Sequence, residues 1–268
     1  MTEPDASGYK WDAGDYQASS SNQKRWAVEL LARHSFRGDE RALDIGCGDG
    51  GTTALIAERT PRGSVLGMDS SPDMVELARR NYPPERVPNV TFVLKDARAL
   101  DFGPEFDLIF SNATLHWIAD HRPVLAGISR AMKPGGHALL QMGGRGNAAG
   151  VAEVLDGLMA DRQWARFFKG FDFRYGFYGP VEYDGWMAAA GLKKIRVELL
   201  PKDAVHQGPA GLAAWVRTTW LPYTQRVPEL LRPRFVDEIV ECYVQRHPAD
   251  AGGLVHVDMV RLEVEATK

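Results

Sequence analysis

The chain has 268 residues, 44% hydrophobic and 25% charged. This is ordinary globular composition, which excludes an intrinsically disordered chain and leaves apolar material for a sizeable core. Thirty-two Lys and Arg against 35 Asp and Glu leave a net charge of −3, which disfavours a generally basic nucleic-acid binder. Cys47 and Cys242 are the only cysteines, too few for a disulfide framework or a cysteine-rich zinc site.

Residues 1–23 read as a polar arm carrying Tyr9, Trp11 and Tyr16, with no apolar segment of the kind a secretory signal needs. No run reaches the ~18 apolar residues of a bilayer span, so a cytoplasmic protein without membrane contact is expected. A helix is predicted over 22–34, where Trp26, Leu30 and Leu31 share a face. The run 41–46 ends in glycine and reads as a buried strand, followed by helical spacing over 52–58 and a second strand at 65–69. Ser71, Pro72 and Asp73 form a helix start: a Ser cap, Pro at the first position and an acid in the first turn. Strands follow at 90–95 and 106–111, then a helix at 124–132, stopped by Lys133 to Gly136, and a fifth strand at 137–142. Five alternations of helix and strand over 24–142 mean a parallel sheet covered on both faces, with ligands at the carboxyl ends of its strands.

Beyond 143 the rhythm changes. Gly143 to Ala149 is a small-residue loop, 150–168 looks helical, and 171–183 holds six Phe or Tyr in thirteen positions. A short helix at 186–190, a strand at 193–200, helices at 209–223 and 228–246, and an alternating strand at 254–267 complete the chain. The two late strands predict an antiparallel edge on a seven-stranded, mostly parallel α/β sheet with helical lid insertions. The expected organisation is an arm (1–23), a cofactor-binding core (24–142), and a segment (143–268) that completes the same domain and covers the acceptor.

The strongest chemical signal is the loop from Asp44 to Gly51. It fits both G-x-G-x-x-G (Gly46, Gly48, Gly51) and G-x-G-x-G (Gly46, Gly48, Gly50), so the glycines alone leave a dinucleotide and a nucleoside-sulfonium cofactor open. Asp69, at the end of the next strand, would take ribose hydroxyls in either case. Charge discriminates. A pyrophosphate needs bare backbone N–H groups, and here Asp44 and Asp49 bracket the glycines. Two charges at 4 Å interact by about 4 kcal/mol at an effective dielectric of 20, so the acids favour a ligand with ammonium and sulfonium groups.

At residues 40–140 the chain resembles the class I S-adenosylmethionine-dependent methyltransferases. The resemblance rests on the Leu43–Gly50 loop, Gly67 to Asp69, Asp96-Ala97, and Met132 to Gly136. It implies a Rossmann-like methyltransferase fold and S-adenosylmethionine as cofactor, leaving as S-adenosylhomocysteine. It also implies a cofactor site made by Tyr16, Gln23, Asp44, Gly46, Cys47, Gly48, Asp69, Ser70, Met74, Asp96, Ala97, Ser111, Asn112, Ala113 and Trp117. Asp69 would bind the ribose, Asp96-Ala97 would lie against adenine, the backbone of Gly46 and Gly48 would hold the methionine end, and Ser111 or Asn112 would lie near the amino group. Cys47 reads as a small turn residue rather than a nucleophile. An Asx-type turn competes for Asp96.

Shorter stretches, Tyr16 to Arg25, Ser111 to Ile118 and Ala214 to Tyr223, resemble methyltransferases acting on carboxylates, the juvenile hormone acid and trans-aconitate enzymes. The resemblance implies a small-molecule acceptor. A carboxylate is already ionised at neutral pH and needs no base; it needs alignment and donors. Gln23 and Trp117 are the candidate donors at the transferred methyl, with His116 as a base if the acceptor is a nitrogen, carbon or hydroxyl centre. Arg145, Arg217, Trp220 and Tyr223 are candidates for holding the rest of the acceptor, while the aromatic run 167–178 could instead wall an apolar one. His116 and His121 lack a convergent third ligand, so no metal site is expected. A NAD-dependent oxidoreductase and a non-catalytic S-adenosylmethionine-binding protein are the rival classes.

Overall fold

The computed structural model describes residues 21–268; Tyr16 and the rest of residues 1–20 of the predicted arm lie outside the described residues. Seven strands run β1 (Arg41–Ile45), β2 (Ser64–Asp69), β3 (Val90–Leu94), β4 (Phe106–Asn112), β5 (Met132–Gly143), β6 (Lys193–His206) and β7 (Val255–Thr267). They form one sheet in the order β3-β2-β1-β4-β5-β7-β6. The pairs β3–β2, β2–β1, β1–β4 and β4–β5 are parallel, and β7 runs antiparallel to β5. This is the doubly wound sheet with an antiparallel edge that the alternation predicts.

The chain divides into two compact units. One, here the sheet unit, holds Gln23–Arg145, Tyr175–Leu200 and Arg261–Lys268. Its strands alternate between two cores, as a period of two requires. Ala42, Val65, Leu108, Phe110 and Leu139 face Ala27, Leu30 and Leu31 of α1 (Ser21–Leu31), Ile56 of α2 (Gly51–Arg59) and Val75 of α3 (Pro72–Asn81). Leu43, Ile45, Ile109, Leu140, Leu262 and Val264 face Leu125 and Ile128 of α4 (Arg122–Ala131) and Tyr183 and Met187 of α6 (Pro180–Ala189).

Among the described residues, the other unit holds 21–22, Gly146–Arg174 and Pro201–Val260. Its helices are α5 (Ala149–Ala160), α7 (Gly208–Thr219), the single turn α8 (Leu221–Thr224) and α9 (Arg232–Arg246). The indole of Trp164 is buried against Phe235 and donates to Glu238 at 2.6 Å. Tyr223 lies edge-on to Phe171 and Trp220. Aromatic residues thus build this unit's core.

Several boundaries differ from expectation: the helix predicted over 150–168 ends at Ala160, the one predicted from 228 begins at Arg232, and the strand predicted over 193–200 runs on to His206. Strand β5 begins at Met132, paired with Phe106, and Lys133 to Gly136 form a bulge, with Gly135 at φ 75°, before His137 pairs with Leu108. Helix α6 begins at Pro180, not at 186. The predicted helix 209–223 breaks at Trp220, two residues before Pro222.

Candidate active site

Every conformational demand in the glycine loop falls on Gly46, Gly48 and Gly50, with φ of 76°, 53° and 83°. This left-handed region penalises any Cβ. A Cβ on Gly46 would also lie 2.0 Å from Thr114 Oγ1. Gly51 has ordinary backbone and simply opens α2, with Gly50 as its cap. The geometry therefore follows the G-x-G-x-G spacing.

The carboxylates around the loop have separate duties. Asp44 is buried and accepts the Thr53 hydroxyl at 2.7 Å; burial pushes its carboxyl up to about 7. Asp49 pairs with Lys24 of α1 at 3.2 Å and accepts the Gly51 amide at 3.0 Å. Two of the acids counted as repulsive to a pyrophosphate are thus one half-neutralised by burial and one paired. Asp69 remains, at the carboxyl end of β2. Its Oδ2 accepts the Gly48 amide at 3.0 Å and its Oδ1 the Ser71 amide at 2.9 Å, and burial raises its carboxyl above the usual range. A carboxylate offers about four lone-pair directions, so two stay available for paired hydroxyls. Ser70 follows, and Met74 is buried one turn into α3.

At the end of β3, Asp96 accepts the Arg98 amide at 2.8 Å and the Arg98 Nε at 2.9 Å. Burial pulls its carboxyl up, but the Arg98 hydrogen bonds outweigh that and hold it below the usual range. The Asx-type turn is therefore real. It leaves Ala97 buried beside the turn. Cys47 is buried, and burial raises its thiol well above the ordinary value, so it is a packing residue.

Past β4 the chain makes a strained exit. Ala113 has φ of 56° without being glycine, a conformation that costs of order 1–3 kcal/mol and clusters at functional sites. Ser111 is fully buried and donates to the Ile45 carbonyl at 2.8 Å, which ties β4 to β1. Asn112 donates Nδ2–H to the Gln23 carbonyl at 3.0 Å, and its Oδ1 is buried without a hydrogen-bond partner among the described residues. Thr114 reaches the Gly46 carbonyl at 3.2 Å. One contact therefore joins Gln23, at the start of α1, to the end of β4, 89 residues away.

The turn Leu115–Trp117 follows. The Trp117 indole lies 5.2 Å from the Tyr175 ring, edge-on. His116 is buried, and its Nδ1 accepts the Gly143 amide at 3.4 Å. Burial, then the charges of Arg261 and His121, hold its imidazole well below the ordinary value. It is neutral, with its proton on Nε2. His121 has both nitrogens engaged: Nε2 donates to the Ile118 carbonyl at 3.0 Å and Nδ1 accepts the Tyr183 hydroxyl at 2.7 Å.

The acceptor candidates separate. Arg145, in the sheet unit, pairs with Glu182 of α6. Arg217, Trp220 and Tyr223 belong to the other unit, where Arg217 is exposed on α7 and the two aromatics are buried in the core. Sequence reasoning missed Lys24, Thr53, Thr114 and Arg98, whose signals are partners rather than motifs.

The donor set fits S-adenosylmethionine. Asp69 offers acceptors for ribose hydroxyls, and the orphaned Asn112 Oδ1 is an acceptor suited to an ammonium. A methyltransferase domain model matches residues 42–136. The trans-aconitate 2-methyltransferase of Methylobacterium nodulans is 32% identical over 263 residues, covering 96% of this chain and 98% of that one. The chain belongs to the class I S-adenosylmethionine-dependent methyltransferases. An Escherichia coli trans-aconitate 2-methyltransferase is 29% identical over 96% of the chain and 98% of its own length. Among solved structures, the YcgJ protein of Bacillus subtilis aligns with a TM-score of 0.62 at 19% identity, over 91% of this methyltransferase and 98% of that chain. The phosphoethanolamine N-methyltransferase 2 of Haemonchus contortus aligns at 0.61 and 20% identity, over 95% and 56%. At these identities the likeness is one of fold. Among the described residues of the methyltransferase, no helix is long and apolar enough to cross a membrane.

Proposed function

We propose that this methyltransferase esterifies a carboxylate oxygen of a small acid related to trans-aconitate. The observation that carries this is the state of His116. An acceptor that must lose a proton needs a base whose value lies near the working pH. The imidazole beside Trp117 is instead buried, neutral and already accepting from Gly143. A carboxylate needs no such base, because its ordinary value near ~4 leaves it ionised. The relatives named as trans-aconitate 2-methyltransferases, matched over nearly the whole chain, support the same reading.

When bound, S-adenosylmethionine supplies an electrophilic methyl group on a positively charged sulfur. The chain's own part is to hold and orient. Asp69 accepts the ribose hydroxyls, Ala97 and Met74 offer apolar surface to the adenine, and the Asn112 Oδ1 accepts from the ammonium. Gln23 and Trp117 donate to the acceptor carboxylate and set the attacking oxygen in line. Orientation of this kind can contribute ~7–11 kcal/mol, and the ionised carboxylate has no proton to give up. Arg145 becomes a candidate for a remote part of the acceptor if it exchanges Glu182 for substrate.

The test is a panel of dicarboxylic, tricarboxylic and long-chain acids with labelled S-adenosylmethionine, reading methyl ester directly. Ester formation on a tricarboxylate is expected. Transfer confined to amines or alcohols would overturn the reading.

A further inference from the structure

Strand β7 carries a charge where the sheet gives it nothing to pair with. Leu262, Val264 and Ala266 face one core, so residues 261, 263 and 265 face the α1 side. Two of these three are satisfied. Glu263 accepts Gln141 Nε2 at 2.8 Å and Arg196 at 2.7 Å, with Arg33 at 3.6 Å. Glu265 lies beside Arg196 and His137. Arg261 is 3% exposed, and its Nε and Nη2 have no hydrogen-bond partner among the described residues. Its guanidinium carbon sits 5.2 Å from the centre of the Trp26 ring.

An arrangement like this needs a reason. Burying a cation costs several kcal/mol even after relaxation, while a cation–π contact returns about 0.5–2 kcal/mol. Glu263, two residues away, is already committed to Gln141 and Arg196. Burial lowers the guanidinium's value to about 9, which still leaves it charged at neutral pH.

Position says what the charge is for. Arg261 pairs in register with Gly143, the last residue of β5, so it stands at the carboxyl end of the parallel strands. Trp26 is three residues after Gln23 on α1, and residues i and i+3 share a helix face. The charge of Arg261 is also felt by His116, next to Trp117. The two candidate methyl-side donors thus lie on the two elements that bracket it. Along the sheet, β7 is two strands beyond β4, roughly 10 Å at normal strand spacing. It lies on the side away from β1, β2 and β3, which carry the cofactor loop, Asp69 and Asp96.

We infer that Arg261 receives a second carboxylate of the methyl acceptor, the one that is not methylated. The inference rests on the acid reading above and adds a substrate-binding residue to it. The guanidinium fork donates two parallel hydrogen bonds to a carboxylate, which supplies a partner that the described residues do not. It also selects polycarboxylates over simple fatty acids, because a single carboxylate cannot occupy both the methyl-side donors and Arg261.

The experiment is calorimetry on the full chain saturated with S-adenosylhomocysteine, titrated with trans-aconitate and with a monocarboxylate of similar length. The wild type, R261M and R261K are compared, each with a thermal melt. R261M is expected to weaken trans-aconitate by about a hundredfold, the size of a lost charge-assisted bidentate contact. It should leave S-adenosylhomocysteine affinity unchanged, change the monocarboxylate less than threefold, and melt no lower than wild type, since an apolar side chain replaces an unpaired buried charge. R261K keeps the charge without the fork, and about a tenfold loss is expected; it serves if R261M does not fold. Unchanged trans-aconitate affinity in either variant overturns the inference and leaves the acid reading standing. A wild type that neither binds nor methylates any acid overturns the acid reading, and the role of Arg261 falls with it.

Discussion

Asp69 shows how one side chain can both build the loop and serve the ligand. Its two oxygens hold the amides of Gly48 and Ser71 and keep two lone-pair directions for hydroxyls. Asp69→Ala is expected to cut S-adenosylhomocysteine affinity by about a hundredfold or more, from the loss of two hydrogen bonds to a charged acceptor. Isothermal calorimetry checks this, and an unchanged dissociation constant would remove Asp69 from the ribose. Such a residue is legible in sequence because a strand ending in an acid after a glycine turn has few other uses. Gly46, Gly48 and Gly50 were legible for a similar reason: left-handed backbone admits few residues. Arg261 and Thr114 were not. Each matters through a partner far along the chain, and nothing in their own neighbourhood marks them. The acids misled in part. Counted as free charges they argue against phosphate, yet Thr53 and Lys24, invisible as partners in the sequence, take up Asp44 and Asp49.

At the scale of elements, the ends of helices were read correctly where a cap was looked for and wrongly where something louder stood nearby. Ser71 caps α3 by accepting the Met74 amide, with Pro72 at the first position, as expected. The same grammar is written at α6: Pro180 at its first position and Glu182 two residues on, whose Oε2 accepts the Gly179 amide at 3.1 Å. The aromatic density of 171–183 hid it. Glu182 also holds Arg145, whose guanidinium hydrogen-bonds lower its carboxyl. Glu182→Ala removes the cap and is expected to cost about 1 kcal/mol. In a chain of this size that is a fall of about 2–4 °C in Tm, with S-adenosylhomocysteine affinity unchanged. A melt equal to wild type would mean that water replaces the carboxylate at the helix start. Strand β5 failed differently. Pro134 and two glycines read as a break, and they form a bulge inside the strand, where four residues of β5 stand opposite Asp107 of β4.

For the molecule as a whole, the alternation of five strands and helices made the parallel half of the sheet readable. The helices of the other unit were readable in outline, but not their packing, which includes aromatic contacts among Trp164, Phe235, Phe171 and Tyr223 that no periodic pattern marks. What sequence could not give at all is the balance of buried titratable groups, and this sets how stability depends on pH. Burial lowers His34, His116, His121 and His206, the last two to about 4. These rings stay neutral in the folded chain and take protons when it unfolds below about 6.5, so the stability they contribute is lost as pH falls through that value. Asp44 works in the opposite sense. Its folded value of about 7 lies above the ordinary 3.8, so between those values the folded chain binds the proton and the unfolded chain does not. The stability from Asp44 is therefore present at low pH and is lost as pH rises from about 4 through 7. Asp69, also raised by burial, adds in the same direction. In the overlap from 4 to 6.5 the strongly lowered rings of His116, His121 and His206 outweigh the two acids, so Tm is expected to peak near neutrality and to fall from about pH 6.5 downward. Asp44→Asn separates the contributions, since an amide oxygen can still accept the Thr53 hydroxyl. The variant should melt with wild type at pH 4 and above it at pH 8, in thermal scans across that range. Parallel curves would show that Asp44 is ionised throughout and that Thr53 compensates its burial.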